Sequence, residues 1–284
     1  MKYIVIGSSG KIGKYFLKKK NAIFTYNKKK LTNGIKFNLL KDNFEKIIEK
    51  NSFSRAVILS AYSDPDFCKK YLKKSKLVNV IKTKKLIKTL IKSNIYFIFF
   101  STEFVFDGKR GNYKEDAIAK PINVYGKQKL EIEKYIQKKT QNYCIFRIAK
   151  TYGDKPWDSS LINDFLAKSK NKIIAHVASD QIFSPIYVKD LIKITEFFMK
   201  KKIKGIYNVG GNKAISRYKL YKKFNFLLKN NKNYPQVKIV CKKISDFKFF
   251  DKRPNNVSFN TKKLKKILNF KLSNIEKIFT NIIK

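Results

Sequence analysis

The segment Gly7-Ser8-Ser9-Gly10-Lys11-Ile12-Gly13 constrains this chain more than any other. It follows a short apolar run over residues 2–6 and precedes an amphipathic stretch over 14–19. Glycines at this spacing between a strand and a helix permit a tight turn. They also let the backbone approach a pyrophosphate and pack the helix close to the strand. The helix N-terminus then offers unpaired N–H groups and the positive end of its dipole to phosphate oxygens. The pattern predicts the opening of a dinucleotide-binding sheet, with Gly7, Gly10, Lys11, Ile12 and Gly13 at the cofactor.

The chain beyond it keeps that rhythm. Strands are expected over 22–26, 35–40, 55–60, 96–100 and 143–148, with helical stretches over 43–50, 69–93 and 123–138 between them. Alternating strands and helices indicate an α/β fold with a parallel, doubly wound sheet. In such a sheet the strand C-termini face the cofactor crevice, which places Ser60, Ala61 and Tyr62 near the dinucleotide. The second strand ends Tyr26-Asn27-Lys28-Lys29-Lys30. A carboxylate there would bind a ribose 2′-OH; cations would instead welcome a 2′-phosphate. Asn27 and Lys28 therefore favour NADPH over NADH, although the same lysines read equally well as a solvated run.

The fifth expected strand delivers Ser101-Thr102-Glu103-Phe104, and the next helix carries Tyr125-Gly126-Lys127-Gln128-Lys129. Residues four apart share one helix face, so Tyr125 and Lys129 point into the same space. A free tyrosine titrates near about 10. A neighbouring ammonium and the charge of an oxidised nicotinamide would favour the phenolate and lower that value. With Thr102 orienting a carbonyl, the three residues suit carbonyl reduction by a nicotinamide cofactor.

The bulk numbers exclude little. The 284 residues carry a formal net charge of +45, but arginine supplies only five of the 65 basic residues. A reader of nucleic acid would use arginine for bidentate contacts. Lysines spread along the whole chain, beside abundant Ile, Asn, Phe and Tyr, read as compositional bias, and no specific nucleic-acid partner is expected. No apolar run is long enough for a membrane span, and no signal peptide is visible. Cys68, Cys144 and Cys241 lack metal-ligand spacing and read as free thiols in a reducing cytosol. No metal site is expected. His176, the lone histidine, reads as structural, and Trp157 as packing or a pocket wall. No nucleophile elbow supports Ser-His-Asp chemistry.

At Gly7 to Gly13, Ser101-Thr102-Glu103-Phe104-Val105-Phe106-Asp107-Gly108 and Tyr125-Gly126-Lys127-Gln128-Lys129, the chain resembles the dTDP-4-dehydrorhamnose reductase family of the extended short-chain dehydrogenase/reductase superfamily. Phe146-Arg147, Tyr152-Gly153, Asp180-Gln181 and Arg253-Pro254-Asn255 extend the likeness over nearly the full length. The resemblance implies NAD(P)H-dependent reduction of the 4-keto group of a dTDP-linked 6-deoxy sugar. NADPH is the preferred cofactor, with NADH left open. Tyr125 would be the acid, Lys129 its modulator and a ribose ligand, and Thr102 the carbonyl partner. Glu103, Phe104, Lys150 and Arg253 would contact the substrate, and Asn38 and Leu39 the cofactor. Residues 1–153 would form the dinucleotide-binding Rossmann domain and 154–284 a smaller mixed substrate lobe, with 187–210 returning to the sheet. The implied location is cytoplasmic, and a homodimer is left open. The chain departs from the family in having Glu103 for Asp, Phe104 for Tyr, Lys150 for Trp, Asn38 for Asp, and Ser63-Asp64-Pro65-Asp66 for an acidic motif. The regulatory β subunit of methionine adenosyltransferase shares these motifs, so a non-catalytic dinucleotide-binding subunit is the alternative.

Overall fold

The computed structural model describes residues 2–155, 158 and 160–284. Six strands alternate with helices through the first half: β1 Tyr3–Ile6, β2 Ala22–Tyr26, β3 Gly34–Lys36, β4 Arg55–Ile58, β5 Tyr96–Thr102 and β6 Tyr143–Ile148. The helices between them are α1 Glu45–Lys50, α2 Pro65–Lys70, α3 Leu72–Lys76, α4 Thr83–Lys92 and α5 Val124–Lys139, with a π-helical turn over Leu77–Lys82. The second half holds β7 Thr151–Tyr152, α6 Leu161–Lys170, β8 Ala175–Ala178, β9 Ile182–Phe183, β10 Ile186–Tyr187, α7 Val188–Lys201, β11 Gly205–Val209, β12 Ile215–Ser216, α8 Arg217–Leu227, β13 Ile239–Lys242, α9 Lys262–Ile267 and α10 Ile275–Ile283.

Among the described residues, seven strands form one sheet in the order β11-β6-β5-β4-β1-β2-β3, and every adjacent pair is parallel. The strand sequences explain the burial. β1, β5 and β6 are runs of aliphatic and aromatic residues, buried along their whole length, as parallel strands covered on both faces must be. Their period of two splits the core: Tyr3 and Val5 pack on one side with Phe146, Phe198 and Leu264, while Ile4 and Ile6 pack on the other with Leu86, Leu90 and Ile132. This is the doubly wound, Rossmann-like architecture that the alternation predicts. The strand order reverses between β1 and β4, and a crevice opens there at the strand C-termini.

β11 joins the sheet beside β6, placed by α7. Apart from α9, whose Leu264 packs on the sheet, the remaining elements form a smaller lobe of mixed pairing. β13 and β8 are parallel, β12 and β9 antiparallel, and a separate core gathers Phe165, Tyr221, Phe224 and Phe279. No helix among the described residues is long and apolar enough to cross a membrane.

The fold departs from sequence expectation in three places. The stretch after the glycine turn is a short 3-10 helix, Gly13–Phe16, rather than an amphipathic helix reaching residue 19. Tight turns, with Leu17 N–H on Lys14 O and Lys19 N–H on Phe16 O, bring the chain round to β2. β3 stops at Lys36, so Asn38 and Leu39 lie in a loop. The helical region over 69–93 begins earlier, at Pro65, capped by the Asp64 carboxylate, and is broken at Tyr71. Trp157 lies outside the described residues.

Candidate active site

β5 carries Thr102 to the C-terminal edge of the sheet. Its hydroxyl caps the turn that follows, accepting the Phe104 N–H at 3.2 Å. α5 starts at the Asn123 cap, whose side-chain oxygen accepts the Gly126 N–H at 2.8 Å. A Cβ at Gly126 would lie 2.1 Å from the Phe104 carbonyl oxygen. Only glycine lets α5 close on the loop after Thr102, and that contact sets Tyr125 beside Thr102. The Tyr125 and Phe104 rings meet edge to face with centroids 6.4 Å apart.

Tyr125 and Lys129 are both buried. Burial pushes the Tyr125 phenol well above its ordinary value, helped by the nearby Cys68 and opposed by a hydrogen bond from the Thr102 hydroxyl. Burial pulls Lys129 down to about 7, against the Glu133 carboxylate one turn further along α5. The Lys129 ammonium donates to Phe100 O at 2.7 Å and lies 4.5 Å from the Phe99 ring centroid, but 5.9 Å from that of Tyr125. The expected lowering of the phenol pKa is thus reversed in the chain alone. Desolvation of both groups outweighs the Coulombic pull of an ammonium that is turned toward a carbonyl.

Behind these groups lies a buried bracket. Arg147 on β6 donates to Glu133 through Nη2 at 2.9 Å and Nε at 3.1 Å, and to Glu115 O at 2.9 Å. The Ser101 hydroxyl donates to the same Glu133. Asn79, on the π-helical turn, binds both sides of Tyr62: Tyr62 N–H to Oδ1 at 2.8 Å and Nδ2 to Tyr62 O at 2.9 Å. Its amide also donates to Gln128 at 2.7 Å. The loop after β4 and the helix bearing Tyr125 and Lys129 are therefore locked together through buried amides.

Gly7, Gly10, Asn27, Asn38, Leu39, Ser60, Ala61 and Tyr62 line one groove of about 260 Å³. Gly7 has φ +96°, and a Cβ there would lie 2.9 Å from Ser60 N. The Ser60 hydroxyl is buried without a hydrogen-bond partner among the described residues. An orphaned hydroxyl facing a glycine turn fits a dinucleotide, whose phosphate and ribose oxygens would satisfy it. Lys28 is exposed beyond Asn27. Ile12 packs into the cores, and Gly13 sits against Ser8 and Gly7 O, where a Cβ would come within 2.5 Å. Gly13 therefore serves the packing of the turn.

Glu103, Phe104, Lys150 and Arg253 line a second cavity of about 530 Å³, walled by the smaller lobe and joined by Lys11. Glu103 is buried and accepts the Lys150 N–H at 3.2 Å. Burial pushes its carboxyl up to about 8, against the pull of Lys150 and Arg217. Arg253 pairs with Asp66 at 3.0 Å and lies 4.7 Å from the Phe249 ring centroid. His176, expected to be structural, is exposed on β8 and lines this cavity, because the alternation of β8 turns Ala175 and Val177 inward and His176 out.

All of residues 1–284 match the family model described as the RmlD substrate binding domain. The chain belongs to this family. It is 30% identical over 260 residues to the dTDP-4-dehydrorhamnose reductase of Aggregatibacter actinomycetemcomitans, covering 85% of this chain and 84% of that one. It is also 30% identical over 163 residues to the methionine adenosyltransferase 2 subunit beta of Xenopus tropicalis, covering 55% of this chain and 49% of that protein. The chain thus spans about half the length of that relative. Among solved structures, the dTDP-4-dehydrorhamnose reductase of Bacillus anthracis in complex with NADP has a TM-score of 0.85 at 22% identity, covering 99% of each chain.

In this member of the family, sequence reasoning missed Asn79, Gln128, Glu133 and Arg217. Gln128 and Glu133 lie within or just after the Tyr125 motif, so α5 periodicity would have turned them inward. Asn79 and Arg217 come from distant elements, and nothing in their local sequence marks them.

Proposed function

We propose that this chain reduces the 4-keto group of a nucleotide-linked 6-deoxy sugar, dTDP-4-dehydrorhamnose being the best candidate, with NADPH as reductant. One observation carries the reading. The close approach of Gly126 to Phe104 O brings the Tyr125 phenol beside the Thr102 hydroxyl, with Lys129 one turn along α5, next to Glu103 and Phe104 of the basic cavity. The family membership and the reductase relative support it. Gly7, Gly10, Asn27, Asn38, Leu39 and Ser60 to Tyr62 would hold the dinucleotide, which supplies the hydride when bound. The absence of a carboxylate at Asn27 to Lys30, and the NADP in the Bacillus anthracis protein, favour NADPH.

In this mechanism the Thr102 hydroxyl orients the substrate carbonyl and Tyr125 gives its phenolic proton to the carbonyl oxygen. The high phenol pKa keeps that proton in place until the oxygen becomes basic. Lys129, protonated, stabilises the resulting phenolate. Glu103, Phe104, Lys150 and Arg253 contact the nucleotide sugar in the second cavity. The test is NADPH absorbance followed with dTDP-4-keto-6-deoxy sugar. If the chain binds NADPH yet consumes none with any nucleotide-linked keto sugar, it is a regulatory subunit. The match to the methionine adenosyltransferase β subunit favours that second reading.

A further inference from the structure

The second cavity is lined by three acids, Asp64, Glu103 and Asp164, and each is already engaged. Asp64 caps α2, accepting from Asp66 N and Phe67 N. Asp164 pairs with Lys168 at 2.6 Å and accepts from the Tyr221 hydroxyl. Glu103 accepts from the Lys150 backbone, and its burial favours the neutral form. Among the described residues, three of the cavity's five lysines and arginines are engaged elsewhere: Lys168 with Asp164, Arg253 with Asp66, and Lys11, at the glycine turn, which is not free either.

Lys150 and Arg217 remain. Neither forms an ion pair among the described residues. Arg217 is pre-positioned: its Nε donates to Gln181 Oε1 at 2.8 Å and its guanidinium lies 5.8 Å from the Phe183 ring centroid. Lys150 is exposed within the cavity. Its enclosure by protein, with the neighbouring charge of Arg217, holds its pKa below the ordinary lysine value. Two cations that raise each other's energy, beside a carboxyl that burial keeps from neutralising them, leave the subsite with unbalanced positive charge. It adjoins the reducing centre, since Glu103 follows Thr102 directly and Phe104, which lines the same cavity, meets the Tyr125 ring edge to face.

We infer that Lys150 and Arg217 form a two-cation subsite for an oxyanion of the substrate, next to the carbon that is reduced. The anion has two sources of the same chemistry: the sugar-proximal phosphate of a nucleoside diphosphate, or a carboxylate carried on the sugar itself. An arginine fork with a lysine point charge suits either. The inference rests on the reductase reading for the position of the sugar, and the two fail separately.

The experiment is calorimetric titration of the full chain and of Lys150→Met and Arg217→Met. The probes are inorganic pyrophosphate, dTDP, UDP-glucose and UDP-glucuronate. NADPH affinity confirms that each variant is folded. The wild type is expected to bind at least one of these anions, and each variant to bind it at least tenfold more weakly. Loss with pyrophosphate and dTDP assigns the phosphate; loss with UDP-glucuronate but not UDP-glucose assigns a sugar carboxylate. If the wild type binds none of the probes, or both variants stay within twofold of it for all of them, the subsite does not exist. Lys150-dependent anion binding without turnover of any keto sugar would keep the subsite and remove the reductase reading. Turnover with unchanged anion affinity in both variants would do the reverse.

Discussion

The Lys129 ammonium donates a 2.7 Å hydrogen bond to the Phe100 carbonyl oxygen, two residues before Thr102. It ties α5 to β5 at the one point where the hydroxyl and the phenol must face each other. Burial, not this contact, lowers the Lys129 pKa to about 7: one carbonyl dipole only partly replaces the water the ammonium has lost.

Replacing Tyr125 by Phe removes the proposed proton donor while keeping the ring that packs on Phe104. Turnover should fall at least 100-fold, within the range general acids contribute, with NADPH affinity within a few-fold of wild type. A loss below tenfold in stopped-flow NADPH oxidation would show that another group gives the proton.

The Lys129 value of about 7 lies below the ordinary lysine value, so the free enzyme loses this charge as pH rises through about 7. If the charged form is the active one, kcat/KM for NADPH, which reports the free enzyme, declines above that pH. Lys129→Met should abolish the decline along with most of the activity. A flat profile from pH 6 to 9 in the wild type contradicts the role.

Glu103 supplies a stability signature. Between the ordinary carboxyl value of 4.5 and about 8, the folded chain holds a proton that the unfolded chain has released. The stability this proton contributes is present at low pH and is lost as pH rises toward 8. Melting temperatures of wild type and Glu103→Gln, measured from pH 5 to 8, should show a fall in the wild type that the variant lacks. Parallel curves would place the Glu103 titration elsewhere.

Arg147 and Glu133 form a buried pair, so Arg147→Met leaves an uncompensated charge. The expected cost is about 3–5 kcal/mol, read by urea denaturation. The double variant Glu133→Gln, Arg147→Met should recover much of it. A single variant within about 1 kcal/mol of wild type would mean that water reaches the site.

Asn27 lies at the end of β2 in the cofactor groove. Asn27→Asp places a carboxylate where a 2′-phosphate would sit and a ribose 2′-OH could donate. The ratio of KM values should shift at least tenfold toward NADH. An unchanged ratio would remove Asn27 from cofactor choice.

The parallel sheet was legible because its strands are local apolar runs and its connections local helices. Each half of the catalytic pair was legible for the same reason, since Tyr125 and Lys129 share one helix face whatever surrounds it. The sequence also marked Gly7 and Gly126 within motifs. It did not show that Gly126 is the point where α5 touches Phe104 O at a distance no side chain permits.

What the sequence by itself determined is therefore the order of strands and helices and the residue types at their ends, because both follow from short-range periodicity. The tertiary structure alone decided the electrostatics. Burial reversed the expected fall of the Tyr125 pKa, pulled Lys129 toward neutrality and raised Glu103. It also set Lys150 beside Arg217, a residue 67 positions away. Desolvation and Coulomb energy depend on distances in space, and a sequence of 60 scattered lysines does not reveal which of them will face an arginine across a cavity.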